Sequence, residues 1–215
     1  MAHAILKALS AGALGILLPF AGCATNKSGQ AKEVTKAVTS MQTTRQELAQ
    51  AQVRVDDALA AMDRLGVAAP AELPKTYRTF TREVSQTVGQ AGTARRRADQ
   101  MSERWQDYIA GWGKESEQFS TPELRAQAAE RRQTVRQNYD RLRDAARVLE
   151  QAYQPFLTQL RDIQKALSLD LTPAGVQAAQ PAFQRAHQSG ADLKQAIVDF
   201  MVQIDQVMAV SPPGK

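Results

Sequence analysis

Few side chains in this sequence could carry out chemistry. Among 215 residues there are two histidines, His3 and His187, and one cysteine, Cys23. Nucleophilic catalysis needs a Ser or Cys beside a base that a third group orients, and nothing is spaced to suggest such a set around His187. Metal chemistry in a helical protein would call for Glu-x-x-His pairs on facing helices or a Cys/His cluster, and the sequence has neither. Gly111-Trp112-Gly113 lacks the spacing and the preceding strand of a phosphate-binding loop. His187 therefore reads as a flank residue of a helix. No catalytic residue, cofactor or metal site is expected.

The one reactive group with a clear setting is the Cys23 thiol. A lone cysteine cannot form an internal disulfide. Upstream of it, Lys7 precedes an apolar run, Ala8 to Leu18, that is too short to remain as a membrane span. Residues 1–22 read as a secretory signal. The junction Phe20-Ala21-Gly22-Cys23 resembles a bacterial lipobox, in which small residues let the thiol accept a diacylglyceryl group before cleavage between Gly22 and Cys23. Phe20 departs from the usual Leu. The competing reading is an ordinary secreted protein with an idle thiol. Each buried methylene contributes about 0.8 kcal/mol, so two or more acyl chains would hold the mature protein to a membrane. Ala24, not Asp, follows the cysteine, which favours the outer membrane, with the protein facing the periplasm. Residues 23–30 are expected to form a flexible tether.

The rest of the chain must fold from helices. Val34, Met41, Leu48, Val55 and Met62 recur at sevens, with Ala37, Thr44, Ala51, Ala58 and Leu65 beside them. Tyr77, Val84, Ala91, Ala98, Trp105 and Trp112 repeat the pattern, and so do Val135, Leu142, Leu149, Phe156 and Ile163. A fourth row runs through Val176, Phe183, Gly190, Ile197 and Ile204. Rows at this spacing make one face of a helix into a seam. The expected helices span about 31–65, 75–118, 122–168 and 173–209, with a loose tail at 210–215. Gly66 suits a helix end, while Ser120-Thr121-Pro122-Glu123 combines capping-box spacing with an early proline. Short connections then predict an all-α fold, an elongated antiparallel four-helix, coiled-coil-like bundle. Helices 2 and 3 should outreach the others, so that their hairpin projects on the order of 15 Å at the end where helix 1 begins.

Two surface features invite a partner. The projecting tip would carry Tyr108, Trp112 and Phe119, which could meet a membrane interface or a membrane partner, or could simply fill the hairpin seam. The net charge is +5 and the pI about 9.5, with Arg95-Arg96-Arg97 the densest cluster. A solvated helix flank accounts for that triplet, and anionic lipid headgroups or cell-wall polymer suit it better than nucleic acid, which an exported protein would not meet. Arg136, Asp140, Arg143, Asp144 and Arg147 are spaced for pairing within one helix.

The residues Trp112, Glu115, Phe119-Ser120, Leu124-Arg125, Tyr139, Leu142, Pro155-Phe156-Leu157 and Leu160-Arg161-Asp162 resemble the domain-of-unknown-function 2959 family over roughly Lys32 to Met208. The resemblance implies a helical bacterial lipoprotein or exported protein, and it brings no reaction with it. Ser168-Leu169-Asp170 departs from a Lys-His-Asn stretch that the family tends to have. Two function classes stay open. One is a non-catalytic, lipid-anchored spacer, scaffold or adaptor for an envelope protein or cell-wall polymer. The other is a bundle that carries or senses an apolar or lipid ligand, suggested by Ala91, Ala98, Ala179, Ala186 and Gly190 on seam positions. Homo-oligomers are compatible with either, since such seams can close between chains.

Overall fold

The computed structural model describes residues 27–210. Cys23, the stretch 1–22 read above as a signal, and residues 211–215 lie outside them. Four helices make up the fold: α1 Lys27–Gly66, α2 Leu73–Ser116, α3 Pro122–Leu169 and α4 Pro173–Val210. A single 3-10 turn, Pro70–Glu72, sits between α1 and α2. At 1.5 Å per residue the longest, α3 with 48 residues, is about 70 Å long. Among the described residues there is no strand.

Cross-helix bonds fix the directions. Thr44 and Thr87 donate to the carbonyls of Arg97 and Arg54, so α1 and α2 run antiparallel. Tyr77 donates to the Gln164 carbonyl while Ser102 bonds Tyr139, which orients α2 against α3. The ion pairs Arg45–Asp205 and Lys194–Asp56 and the hydrogen bond between His187 and Asp63 close α4 onto α1. The core is continuous, and its largest fully buried side chains include Phe80, Phe156 and Phe200.

The heptad rows face the core, buried along most of α1, α3 and α4, while in the α2 row Tyr77, Ala91, Ala98 and Trp112 are only half-buried. Met41, Val55 and Met62 on α1, and Ile197 and Ile204 on α4, are fully buried. Thr87, a polar residue of α2 in line with Phe80 and Ala94, is also buried, and its hydroxyl finds carbonyls at Glu83 and Arg54. Helix starts follow the prolines: Pro122 and Pro173 open α3 and α4. The capping box expected at Ser120 and Glu123 does not form. Thr121 is the N-cap, without a side-chain cap bond, and Pro122 supplies the start by its fixed φ. Thr172 does cap α4, accepting from the Gly175 N–H at 3.1 Å.

Two expectations are corrected. The tether does not reach residue 30, because α1 begins at Lys27. The overhang is also arranged differently. The register of α1 on α2 puts Lys27 level with about residue 114, so α1 accompanies the hairpin almost to its tip. It is α4 that stops short, with Val210 level with about residue 40 of α1. Beyond that point α1, α2 and α3 continue for roughly 20 Å as three helices. Trp105 and Tyr108, packed edge to face at 5.4 Å, are buried near the level where α4 ends.

α4 packs closely on α1 and α3 at Gly190, which leaves no side chain between them. A Cβ there would lie 3.0 Å from Leu59 and 3.1 Å from Phe156. Gly190→Leu is expected to lower unfolding stability by about 1–3 kcal/mol. Gly89→Ala, with nothing within 4 Å of its Cβ, should raise it by about 0.5–1 kcal/mol. Urea denaturation of the two variants checks both signs.

Candidate functional site

The small residues on the seams divide into two groups. Ala179, Ala186 and Gly190 on α4 are buried in close helix contact. Ala91 and Ala98 on α2 instead line a cleft between α2 and α3, of about 440 Å³. Within that row the bulky Tyr77 and Trp105 bracket the two alanines, and Tyr77 is tied to α3 through Gln164. Alanine side chains are too short to fill the space between the helices along the middle of the row. Ala146 on α3 lines the same cleft, and Leu48 and Phe200 reach its floor from α1 and α4.

Tyr139 and Arg143 border this apolar cleft and also a second, polar one of about 620 Å³ nearer the hairpin tip. The second holds Lys114, Arg132, Arg136 and Arg143 against Glu117 and Asp140. Arg143 pairs with Asp140 and Asp144, as helical spacing predicts. Lys114, Arg132 and Arg136 enter no ion pair among the described residues. At the junction the Tyr139 hydroxyl bonds Ser102 at 2.7 Å and accepts from Gln106 at 2.8 Å.

On the wall of the apolar cleft Tyr153 is 9% exposed, and its hydroxyl has no hydrogen-bond partner. Burial pushes its ionisation well above the ordinary tyrosine value. Tyr108 is shifted the same way, chiefly by burial, with the Arg131 charge pulling it partly back.

The other residues singled out from sequence do not converge. Arg95, Arg96 and Arg97 are all exposed but point to different neighbours. Arg95 bridges to Glu150 across the cleft mouth at 3.2 Å, Arg96 donates to Thr93, and Arg97 to Gln100. Tyr108 is buried and stacks on the half-buried Trp112 at 5.7 Å. Phe119 alone of the tip aromatics is exposed, at 43%. His187 sits on the α4 flank, 2.6 Å from Asp63. No group of three or more His, Cys, Asp or Glu among the described residues could hold a metal, and no described helix is long and apolar enough to cross a membrane. Sequence reasoning missed the polar half of the groove. Its arginines looked like an ordinary solvated stripe, and only the packing of α2 on α3 brings Lys114 to them.

Residues 23–209 match the model of a family described as protein of unknown function (DUF2959), and the chain belongs to that family. No curated protein and no solved structure matches the chain.

Native Tyr153 and Tyr108 keep protons that the unfolded chain gives up near the ordinary value of 10.0. The unfolded state then binds fewer protons, so stability should fall as the pH rises above about 10. Tyr153→Phe removes part of that slope. It also removes an unpartnered buried hydroxyl, so stability at pH 7 should hold or rise by up to about 1 kcal/mol. Urea unfolding near pH 7 and near pH 11 measures both effects.

Proposed function

We propose that this member of the DUF2959 family is a non-catalytic, lipid-anchored protein of the bacterial cell envelope. In this reading it is a helical rod tied through acylated Cys23 to the outer membrane, facing the periplasm as a spacer, scaffold or adaptor. The observation that carries the reading is the nearness of the folded rod to Cys23. Helix α1 begins at Lys27, and the few residues between them span at most about 15 Å when extended. A tether that short would hold the end of the rod against the lipid surface. The family match, which starts at Cys23 and leaves residues 1–22 outside it, fits a cleaved leader.

That end also carries the α2–α3 turn. Phe119 and Leu124 are exposed there, at 43% and 48%, beside Lys114 and Arg125. Apolar side chains flanked by cations suit a headgroup layer. The faces farther along the rod are charged, with paired signs, which suits reversible contact with an envelope protein or cell-wall polymer.

Cys23→Ser should move the protein from the membrane fraction to the soluble periplasmic fraction. Undiminished membrane fractionation of that variant would count against the anchor. Phe119→Ser with Leu124→Ser should leave fractionation unchanged but weaken liposome contact of the unacylated protein by several fold, read by sedimentation with anionic vesicles.

A further inference from the structure

We infer that the groove between α2 and α3 binds a long-chain anionic amphiphile: one acyl chain in the apolar compartment, its acidic head group among Lys114, Arg132 and Arg136. The apolar compartment, at about 440 Å³, falls within the roughly 300–1,000 Å³ of small-molecule sites. Its wall on α2 runs from Val88 to Ser102, about 20 Å at helical rise, so it is long rather than round. That shape suits an extended chain better than a fused ring system. The floor is Ala, Val, Leu, Met and Phe, which offers an alkyl chain apolar contact, while exposed charged side chains such as Arg147 and Arg161 line the rim and Tyr153 the wall.

The head-group end follows from the charges. Tyr139 and Arg143 line both compartments, so the apolar channel adjoins the cationic one, with the exchangeable Tyr139 bonds to Ser102 and Gln106 at the junction. There four cations face two carboxylates, and Lys114, Arg132 and Arg136 have no ion-pair partner among the described residues. Guanidinium forks match the two oxygens of a carboxylate or the oxygens of a phosphate. Entry does not require unfolding. The bridge across the mouth, Arg95–Glu150, joins side chains that are 66% and 53% exposed, and pairs of that kind hold weakly.

Free fatty acids and lysophospholipids share this chemistry. Neither depends on acylation at Cys23, so the site and the anchor can fail separately. Titration calorimetry of the delipidated full chain with palmitate, palmitoyl-lysophosphatidylglycerol and the uncharged hexadecanol tests the inference, each probe kept below its micelle concentration. Saturable 1:1 binding of either acidic probe is expected, at least tenfold tighter than hexadecanol. The tighter of the two identifies the source as free acid or lysolipid.

Ala98→Phe should fill the channel and weaken the acidic probes by tenfold or more, with helicity by circular dichroism unchanged. Arg132→Gln with Arg136→Gln, both on the surface of α3, should weaken the acidic probes about tenfold and leave hexadecanol within twofold. Tyr153→Phe should stay within twofold throughout. No saturable binding to the parent chain would overturn the site, as would equal binding by a folded Ala98→Phe protein. Equal affinity for hexadecanol, or a tenfold loss in Tyr153→Phe, would overturn the placement of the head group.

Discussion

The close approach of α1 to α2 is the constraint on which the rest depends. Ala37, Thr44, Ala51 and Ala58 give α1 a shallow face, and Thr87 and Ala94 on α2 are buried at the same seam. Small side chains let the backbones come near enough for the Thr44 and Thr87 hydroxyls to reach carbonyls of the opposite helix. Each hydroxyl also donates to a carbonyl of its own helix, Ser40 for Thr44 and Glu83 for Thr87, so it stays satisfied while it reaches across. Close packing therefore adds a cross-helix bond to hydroxyls that small side chains allow to be buried at the seam. The second tight hairpin, α3 with α4, uses Gly190 under Leu59 and Phe156. Contact is more extensive within these two hairpins than between them.

What lies between the hairpins is consequently less complete. The α2 row toward α3 goes from Tyr77 through Ala91 and Ala98 to Trp105. In a uniform seam the alanines would draw the helices together, as those of α1 do. Here a tyrosine bonded to α3 stands at one end, and the gap stays open along the middle. Tyr153 shares in that incompleteness, with a buried hydroxyl that no neighbouring helix satisfies.

The shape was legible in the sequence because it rests on periodicity. Val34 to Met62, Tyr77 to Trp112, Val135 to Ile163 and Val176 to Ile204 each keep one phase for many turns, and Pro122 and Pro173 mark starts by local backbone chemistry alone. The helix ends were less legible where propensity was neutral. Nothing from Lys27 to Gln30 except Gly29 opposes helix, so α1 grows into the stretch read as tether. The cleft could not be read from residue type. Ala91 and Ala186 are the same residue on the same kind of seam, yet one borders open space and the other is fully covered. The difference lies in what faces each of them, and heptad phase carries no information about the size of the opposing side chain.

The two proposals also constrain each other through geometry. With the rod standing on its Cys23 end, the cationic compartment near Lys114 and Arg132 lies close to the lipid surface, and the apolar channel leads away from it. A bilayer amphiphile has the opposite orientation relative to the surface, with its tail pointing into the membrane. Its head group could remain near the headgroup layer, gripped by the arginines, while the chain swings up between α2 and α3. Only the chain would then change surroundings, from one apolar medium to another, and the charged head would never need to cross one. The Arg95–Glu150 bridge, farther up the same groove, would part as the chain enters and re-form across it. Absence of α4 from the last roughly 20 Å leaves the first turns of α3 exposed on several sides, so a chain reaching this end of the groove meets fewer neighbouring helices than in the four-helix section.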